Sequence, residues 1–265
     1  MVMLVTLALI TGLYGVVLGS ALNAFVWRLH AKKSWVKGKS ICEACKHELA
    51  GKDLVPVLSW LYLRGRCRYC RKPISIQHVA VELATGALFA LSALVLKPTD
   101  TLTWAVFIIW LWLLVQLIIL FIYDLRWMIL PNKVTYPAIG LALATLMLIA
   151  VAGAPMQVWL GPLEAAAIAG GFFYFLAAIA GGRLMGGGDV KLVFLMGLIL
   201  GVQKLALALF IGFNSAAIVS VALIILKLRK RSDHIPFGPF LIAGTIIAYL
   251  YGHVIITWYL HLNGI

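Results

Sequence analysis

Long apolar runs separated by short polar stretches dominate the chain. A helix needs about 20 apolar residues to cross the hydrocarbon core of a bilayer. Runs of that kind cover 2–27, 79–96, 102–123, 134–153, 164–182, 190–203, 205–226 and 237–257. The pattern predicts an all-α polytopic membrane protein of about eight transmembrane helices, the sixth, Val190 to Gln203, being short and rich in glycine. The first run is too long for a signal-peptide core and lacks a charged start and a cleavage-type ending, so it reads as a retained helix. Residues 28–78 alone have the composition of a water-exposed segment. The expected organisation is a first helix (1–27), a polar loop (28–78) and a helical membrane domain (79–265).

Composition sharpens this picture. Sixty-three per cent of the 265 residues are hydrophobic and 12% charged, with a mean hydropathy of +1.04. Soluble domains carry roughly a quarter charged residues, so a water-exposed exterior cannot be built from this chain. The net charge of +13 comes from 22 Lys and Arg against nine Asp and Glu. Nucleic acid is not the expected partner, because the positions of the cations explain the charge better. With eight passes, 20 of the 22 fall on one side: Arg28 through Lys72, then Arg126, Lys133, Arg183, Lys191, Lys227, Arg229, Lys230 and Arg231. Lys97 and Lys204 fall on the other. By the positive-inside rule the 28–78 loop is cytoplasmic and both termini are outside. The positive loop also suits anionic lipid head groups.

That loop holds all four cysteines, as Cys42-x-x-Cys45 and Cys67-x-x-Cys70 with 21 residues between the pairs. The spacing is zinc-ribbon-like: two tight turns, each offering two thiolates, close a tetrahedral site with no open position. Two disulfides are the alternative, and a reducing compartment disfavours them. A loop of about 50 residues has little core of its own, so metal binding would supply much of its folding free energy. His47 is either a substitute ligand or a solvated side chain.

Three carboxylates lie inside or at the ends of apolar runs: Glu82, Asp124 and Asp189. An ionised carboxylate at membrane depth costs about 2.5–3.5 kcal/mol, which marks each as a candidate functional group. Asp124 ends the third run and Asp189 opens the sixth after Gly186-Gly187-Gly188, so both come to the same edge of the membrane. Two carboxyls held close cannot both ionise. One keeps a proton while the other polarises a water, a combination that serves peptide hydrolysis. The triple glycine, with Gly186 and Gly188 flanking the central residue, lets backbone approach closely. Lys191 lies on a different helical face from Asp189 and is expected at lipid head groups or substrate. The structural alternatives are that Asp124 pairs with Arg126 and Asp189 caps its helix. Glu82 either joins the active site or pairs with a cation such as Lys72.

Taken together, the motifs resemble the bacterial type IV prepilin peptidases. They run in order from Gly19-Ser20-Ala21-Leu22-Asn23 through the cysteine pairs with Leu63-Arg64-Gly65-Arg66-Cys67. Val81-Glu82-Leu83-Ala84-Thr85-Gly86, Asp124-Leu125-Arg126, Gly186-Gly187-Gly188-Asp189-Val190-Lys191 and Ile235-Pro236-Phe237-Gly238-Pro239-Phe240 follow. The resemblance implies a membrane aspartyl endopeptidase that removes the basic leader of prepilins and pseudopilins at the cytoplasmic face. It also implies methylation of the new N-terminus from S-adenosylmethionine. By motif, Asp124 and Asp189 are the catalytic pair, and the cysteine loop with Gly65, together with Glu82, belongs to the methyl-transfer region. Ala21, His30, Glu43 and Asn132 depart from the residues common in the family, the first three around the loop. The oligomeric state is not legible.

Three other readings stand beside this one. A preflagellin-type peptidase would lack the cysteine loop. A transporter with a metal-sensing loop would leave the ordered motifs unexplained, and a non-catalytic membrane subunit of a pilus or secretion assembly would need no aspartate pair.

Overall fold

A computed structural model describes residues 2–34, 40–42, 44–179, 181, 186–230 and 235–262. Glu43, Arg183 and Arg231 lie outside the described residues. The helices are α1 (Val2–His30), α2 (Leu58–Tyr62), α3 (Gln77–Leu96), α4 (Thr101–Trp127), α5 (Asn132–Val151), α6 (Met156–Ile179), α7 (Gly187–Ile225) and α8 (Gly238–Leu262). Among the described residues there is no strand beyond two isolated bridges. The chain forms two compact units, Met1–Pro98 and Thr99–Ile265.

In the first unit α1 and α3 pack antiparallel along a seam of small residues. A Cβ on Gly12 would lie 3.2 Å from Ala90 Cβ, one on Gly15 2.9 Å from Gly86 Cα, and one on Gly19 2.7 Å from Glu82 Cα. Hydrophobic attraction does not draw helices together in lipid, and close backbone approach over glycine takes its place. Helix α3, which the apolar pattern groups with the helices after it, therefore packs with α1.

The second unit is built around α4, whose Trp110, Leu114, Leu117 and Leu120 are fully buried. Local chemistry fixes the ends of this helix. The Asp100 side chain accepts the Leu102 N–H at 3.2 Å, while the Thr103 hydroxyl accepts the Asp100 N–H at 3.0 Å. That reciprocal cap starts the helix, and Met128 at φ 53° followed by Pro131 ends it. The described helix reaches Trp127 rather than 123, so Asp124 lies in its last turn.

Helix α7 has 39 residues, about 58 Å at 1.5 Å per residue, nearly twice a hydrocarbon core of about 30 Å. Gly201, at φ 68° and ψ 178°, breaks it. Contacts with α6 show what the break does. A Cβ on Gly197 would run into Ala166, one on Gly170 would meet Phe194 at 3.0 Å, and Pro162 faces Gly201. Up to Gly201, then, the two helices run antiparallel. Beyond it the Phe213 ring lies 6.3 Å from Phe173, further along α6 than Pro162, so the second arm runs parallel to α6. The chain turns back at Gly201. Among the described residues, seven helices are long and apolar enough to cross a membrane; with α7 folded as a hairpin they make eight passes. The break expected between residues 203 and 205 falls at Gly201, because only a residue without Cβ takes that backbone conformation readily.

Candidate active site and metal centre

The cysteine loop is built from two matching turns. Ile41 bridges Glu48 in the first and Arg66 bridges Pro73 in the second, both antiparallel. The Cys42 N–H donates to His47 O at 2.9 Å and the Cys67 N–H to Lys72 O at 2.9 Å. Lys46 N–H returns to Cys42 O and Arg71 N–H to Cys67 O, at 2.9 and 3.0 Å. Lys46 and Arg71 both adopt positive φ, 60° and 59°, a left-handed conformation uncommon outside glycine. The repetition brings the first and last cysteine of each turn to the same side of their backbone.

All four sulfurs lie within 4.8 Å of one another, with Cys42 Sγ 3.9 Å from Cys70 Sγ. An ion bound at about 2.3 Å to four sulfurs sets tetrahedral edges of about 3.8 Å. The observed spacing fits such an ion, and all four cysteines are free thiols rather than two disulfides. The Cys42 thiol is drawn down to about 7, chiefly by the Cys45 N–H and also by the Ala44 N–H and neighbouring thiols, against desolvation. A lowered thiol is a readier metal ligand. His47 is not in this cluster; its ring lies 3.7 Å from that of Tyr69, joining the two turns.

Around the cysteines, Asp53 gathers the loop. Its carboxylate accepts from Arg68 Nε at 2.6 Å, the Tyr69 hydroxyl at 3.2 Å and the Ala50 N–H at 3.2 Å. Burial works to raise the Asp53 carboxyl, but these donors and the Arg68 charge outweigh it and hold the group below the usual carboxylate range. Gly65, at φ 69°, leaves no room for a side chain: a Cβ would lie 2.8 Å from the Trp60 ring, whose Nε1 donates to Ile74 O at 3.2 Å. Glu82 is buried and accepts the Val57 N–H at 2.7 Å. Its partner is thus backbone and not Lys72. Val57 stands at φ 60°, ψ −53°, with Leu58 N–H donating to Pro56 O across it, the rare and strained form of γ-turn. The Glu82 carboxylate anchors that turn.

The aspartates come together in the second unit. Asp124, 5% exposed, ends α4, and its Oδ2 accepts the Gly238 N–H at 3.0 Å from the first residue of α8. Asp189 stands in the first turn of α7, its N–H donating to Gly186 O at 3.0 Å while its carboxylate accepts the Gly186 N–H. Asp189 is thus not the N-cap itself; it is the third residue of α7, and its carboxylate reaches back to the amide of Gly186, the residue before the helix. Asp124 is near enough for its charge to act on Asp189. A Cβ on Gly188 would be 3.1 Å from that of buried Leu130, so the glycine run brings the start of α7 onto the turn after α4. Lys191 points away, donating to Asn132 Oδ1 at 2.8 Å with its ammonium 5.3 Å from the Tyr136 ring. It ties α7 to α5. Arg126 lies over the Trp127 ring at 5.7 Å.

Gly238 is the participant that residue chemistry alone does not reveal, since a backbone amide carries no side-chain signal. In the chain it stands as one residue of the Ile235-Pro236-Phe237-Gly238-Pro239-Phe240 motif, before Pro239 at a helix start.

Comparison with known proteins bears on both units. Residues 13–96 match the Bacterial Peptidase A24 N-terminal domain and residues 105–221 the Type IV leader peptidase family. A Bacillus subtilis protein named prepilin leader peptidase/N-methyltransferase is 32% identical over 248 residues, covering 94% of this chain and 96% of its own. A protein of the same name from Aeromonas hydrophila is 33% identical over 84% of this chain and 74% of its own. One from Legionella pneumophila is 28% identical over 95% and 94%. No solved structure matches the chain.

Proposed function

Because the chain belongs to the type IV leader peptidase family, we propose that Asp124 and Asp189 are the two carboxyls with which this multi-pass membrane enzyme cleaves prepilin leaders. Its activity is that of a prepilin leader peptidase and N-methyltransferase. The observation that carries the assignment is the convergence of two aspartates from α4 and α7 over a glycine run, with one carboxylate buried.

Two such carboxyls share one proton. The ionised member accepts a proton from water as its oxygen attacks the scissile carbonyl, and the protonated member donates to the carbonyl oxygen. The gem-diol then collapses: one hydroxyl returns its proton to the aspartate left ionised as C=O re-forms, the C–N bond breaks, and the leaving amine takes its proton from the other aspartate, so the pair again holds one proton. Which aspartate starts with the proton is a property of the coupled pair. Gly186 and Gly187 leave backbone open beside Asp189, which suits an extended substrate, while Gly188 packs on Leu130 and Lys191 holds α7 against α5.

Cys42, Cys45, Cys67 and Cys70 would hold a zinc ion. With all four positions filled by sulfur it has no open site for substrate and contributes folding free energy. S-adenosylmethionine supplies the methyl group when bound. Gly65 and Glu82 act on the fold of the loop, one by admitting Trp60 and the other by anchoring Val57, and neither forms a donor pocket by itself. The substrate class is prepilins and pseudopilins with basic leaders. The cation distribution supports a bacterial cytoplasmic (inner) membrane location with the cysteine loop and aspartates on the cytoplasmic side and both termini outside.

The test incubates purified protein in lipid with a peptide carrying a basic leader, glycine, phenylalanine and an apolar helix, and reads product mass. Asp124→Asn and Asp189→Asn should each abolish cleavage while remaining folded and inserted. Near wild-type turnover in either variant overturns the pair.

A further inference from the structure

Asp124 is held from outside its own helix, and the holding group is neither charged nor a side chain. The first N–H groups of a helix have no partner within it. At the start of α8, Phe240 and Leu241 N–H donate to Phe237 O, whereas the Gly238 N–H reaches across to Asp124 Oδ2 at 3.0 Å. The bond is fully buried, where a hydrogen bond is stronger than in water. Gly238 also supplies the space the carboxyl occupies: a Cβ there would stand 2.6 Å from Oδ2 and 3.1 Å from Cγ. Any side chain would displace the group that the amide holds.

The helix start is itself fixed. The Phe237 ring lies 5.0 Å from Phe213, and Phe213 lies 6.3 Å from Phe173, so an aromatic row ties the entry of α8 to the returning arm of α7 and to α6. Pro239 and Leu241 are buried behind it. The amide is therefore a rigid donor, set by packing before any substrate arrives, as electrostatic preorganisation requires.

We propose that Gly238 is a positioning residue for the peptidase reaction. Its amide fixes the rotation of the Asp124 carboxyl by holding Oδ2, leaving Oδ1 as the oxygen turned to water and to Asp189. The proposal rests on the assignment of Asp124 to the catalytic pair. It assigns α8, which contributes no carboxylate to that pair, a defined part in the site.

The experiment measures peptide cleavage in lipid for wild type, Asp124→Asn, Gly238→Ala, the double variant and Gly140→Ala. Gly140 has nothing within 4 Å of its would-be Cβ and serves as the control. Gly238→Ala should lower kcat by about tenfold or more with KM within about twofold, because it disturbs a group used in the reaction and not substrate binding. It should also displace the pH profile of kcat. Added to Asp124→Asn it should cost nothing further, since both act through one carboxyl. Unchanged kcat and pH profile in a folded Gly238→Ala overturn the proposal while leaving the aspartate assignment intact. Activity in Asp124→Asn overturns the assignment beneath it. Should Gly238→Ala fail to fold, the Gly238 amide resonance of glycine-labelled protein decides. It should move on Asp124→Asn, and an unmoved resonance overturns the proposal.

Discussion

The cysteine loop and the aspartate end solve the same problem, holding a few reactive groups in a fixed geometry, with opposite means. The loop has short irregular backbone, two matching turns with residues in left-handed conformations, and one ion pair with hydrogen bonds gathered on Asp53. Its order comes from polar bonds and from four sulfurs shaped to close on a metal. The aspartate end uses long helices, buried aliphatic side chains and glycines that let backbones touch. Much of the first lies open to water, which can replace a bond lost at its surface though not at Cys67 or the Asp53 carboxylate. In the second, a backbone or carboxyl group without a partner has little water to turn to. The first region should accordingly be sensitive to metal and pH, and the second to added volume.

The largest effects should come from crossing the two. Asp189→Asn is expected to reduce cleavage by at least about 10²–10⁴-fold, the range for losing acid–base chemistry, with metal content unchanged at one zinc per chain. Cys67→Ser, which removes the most buried of the four sulfurs, should strip the metal and reduce methylation at least as much as cleavage. Elemental analysis and product mass spectrometry on the same preparations read both. A Cys67→Ser protein that keeps its zinc breaks the comparison, as does an Asp189→Asn protein that loses it.

These expectations show what could be read from the chain before folding. The cysteine pairs announced a tetrahedral site because spacing on one tight turn determines which sulfurs meet. Asp124 and Asp189 stood out because carboxylates are costly beside apolar runs. The roles of Glu82 and Gly238 were not legible, since each depends on a backbone amide from a distant segment, Val57 in one case and the α8 start in the other. The reversal within α7 was legible as two adjacent apolar runs meeting near 203–205; that it falls at Gly201 was not, because hydropathy marks the thickness crossed and the turning residue is set by backbone conformation. His47 was open as a ligand until its ring was found on Tyr69.

An intermediate effect should follow from volume added at a helix seam. Gly19→Ala puts a Cβ 2.7 Å from Glu82 Cα and 3.1 Å from Val81 O, and overpacking of this kind costs about 1–3 kcal/mol. Thermal unfolding in lipid should fall accordingly, whereas Gly140→Ala, with open space around it, should be neutral or slightly stabilising through helix propensity. Equal effects at the two positions would show that close backbone approach is not what joins α1 to α3.

The smallest effect should be at Asp53, and it sharpens the contrast by its pH dependence. Its carboxyl sits below the ordinary range in the folded loop, through the Arg68, Ala50 and Tyr69 donors working against burial. A carboxyl with a lowered folded value stabilises the fold above its unfolded value, near 3.9 for aspartate. The contribution is lost as pH falls through the lower folded value. Asp53→Asn should therefore loosen the loop modestly at neutral pH and make no difference at pH well below 3.9. The Arg68 side chain is 30% exposed and that of Asp53 only 3%, so added salt should weaken the wild-type advantage only in part. Amide exchange over residues 44–74, compared between wild type and Asp53→Asn across that range, measures the difference and cancels the acid sensitivity of the thiolates, which both proteins share. A gap that widens as pH falls would mean that the sign of the Asp53 contribution is opposite to the one its donors dictate.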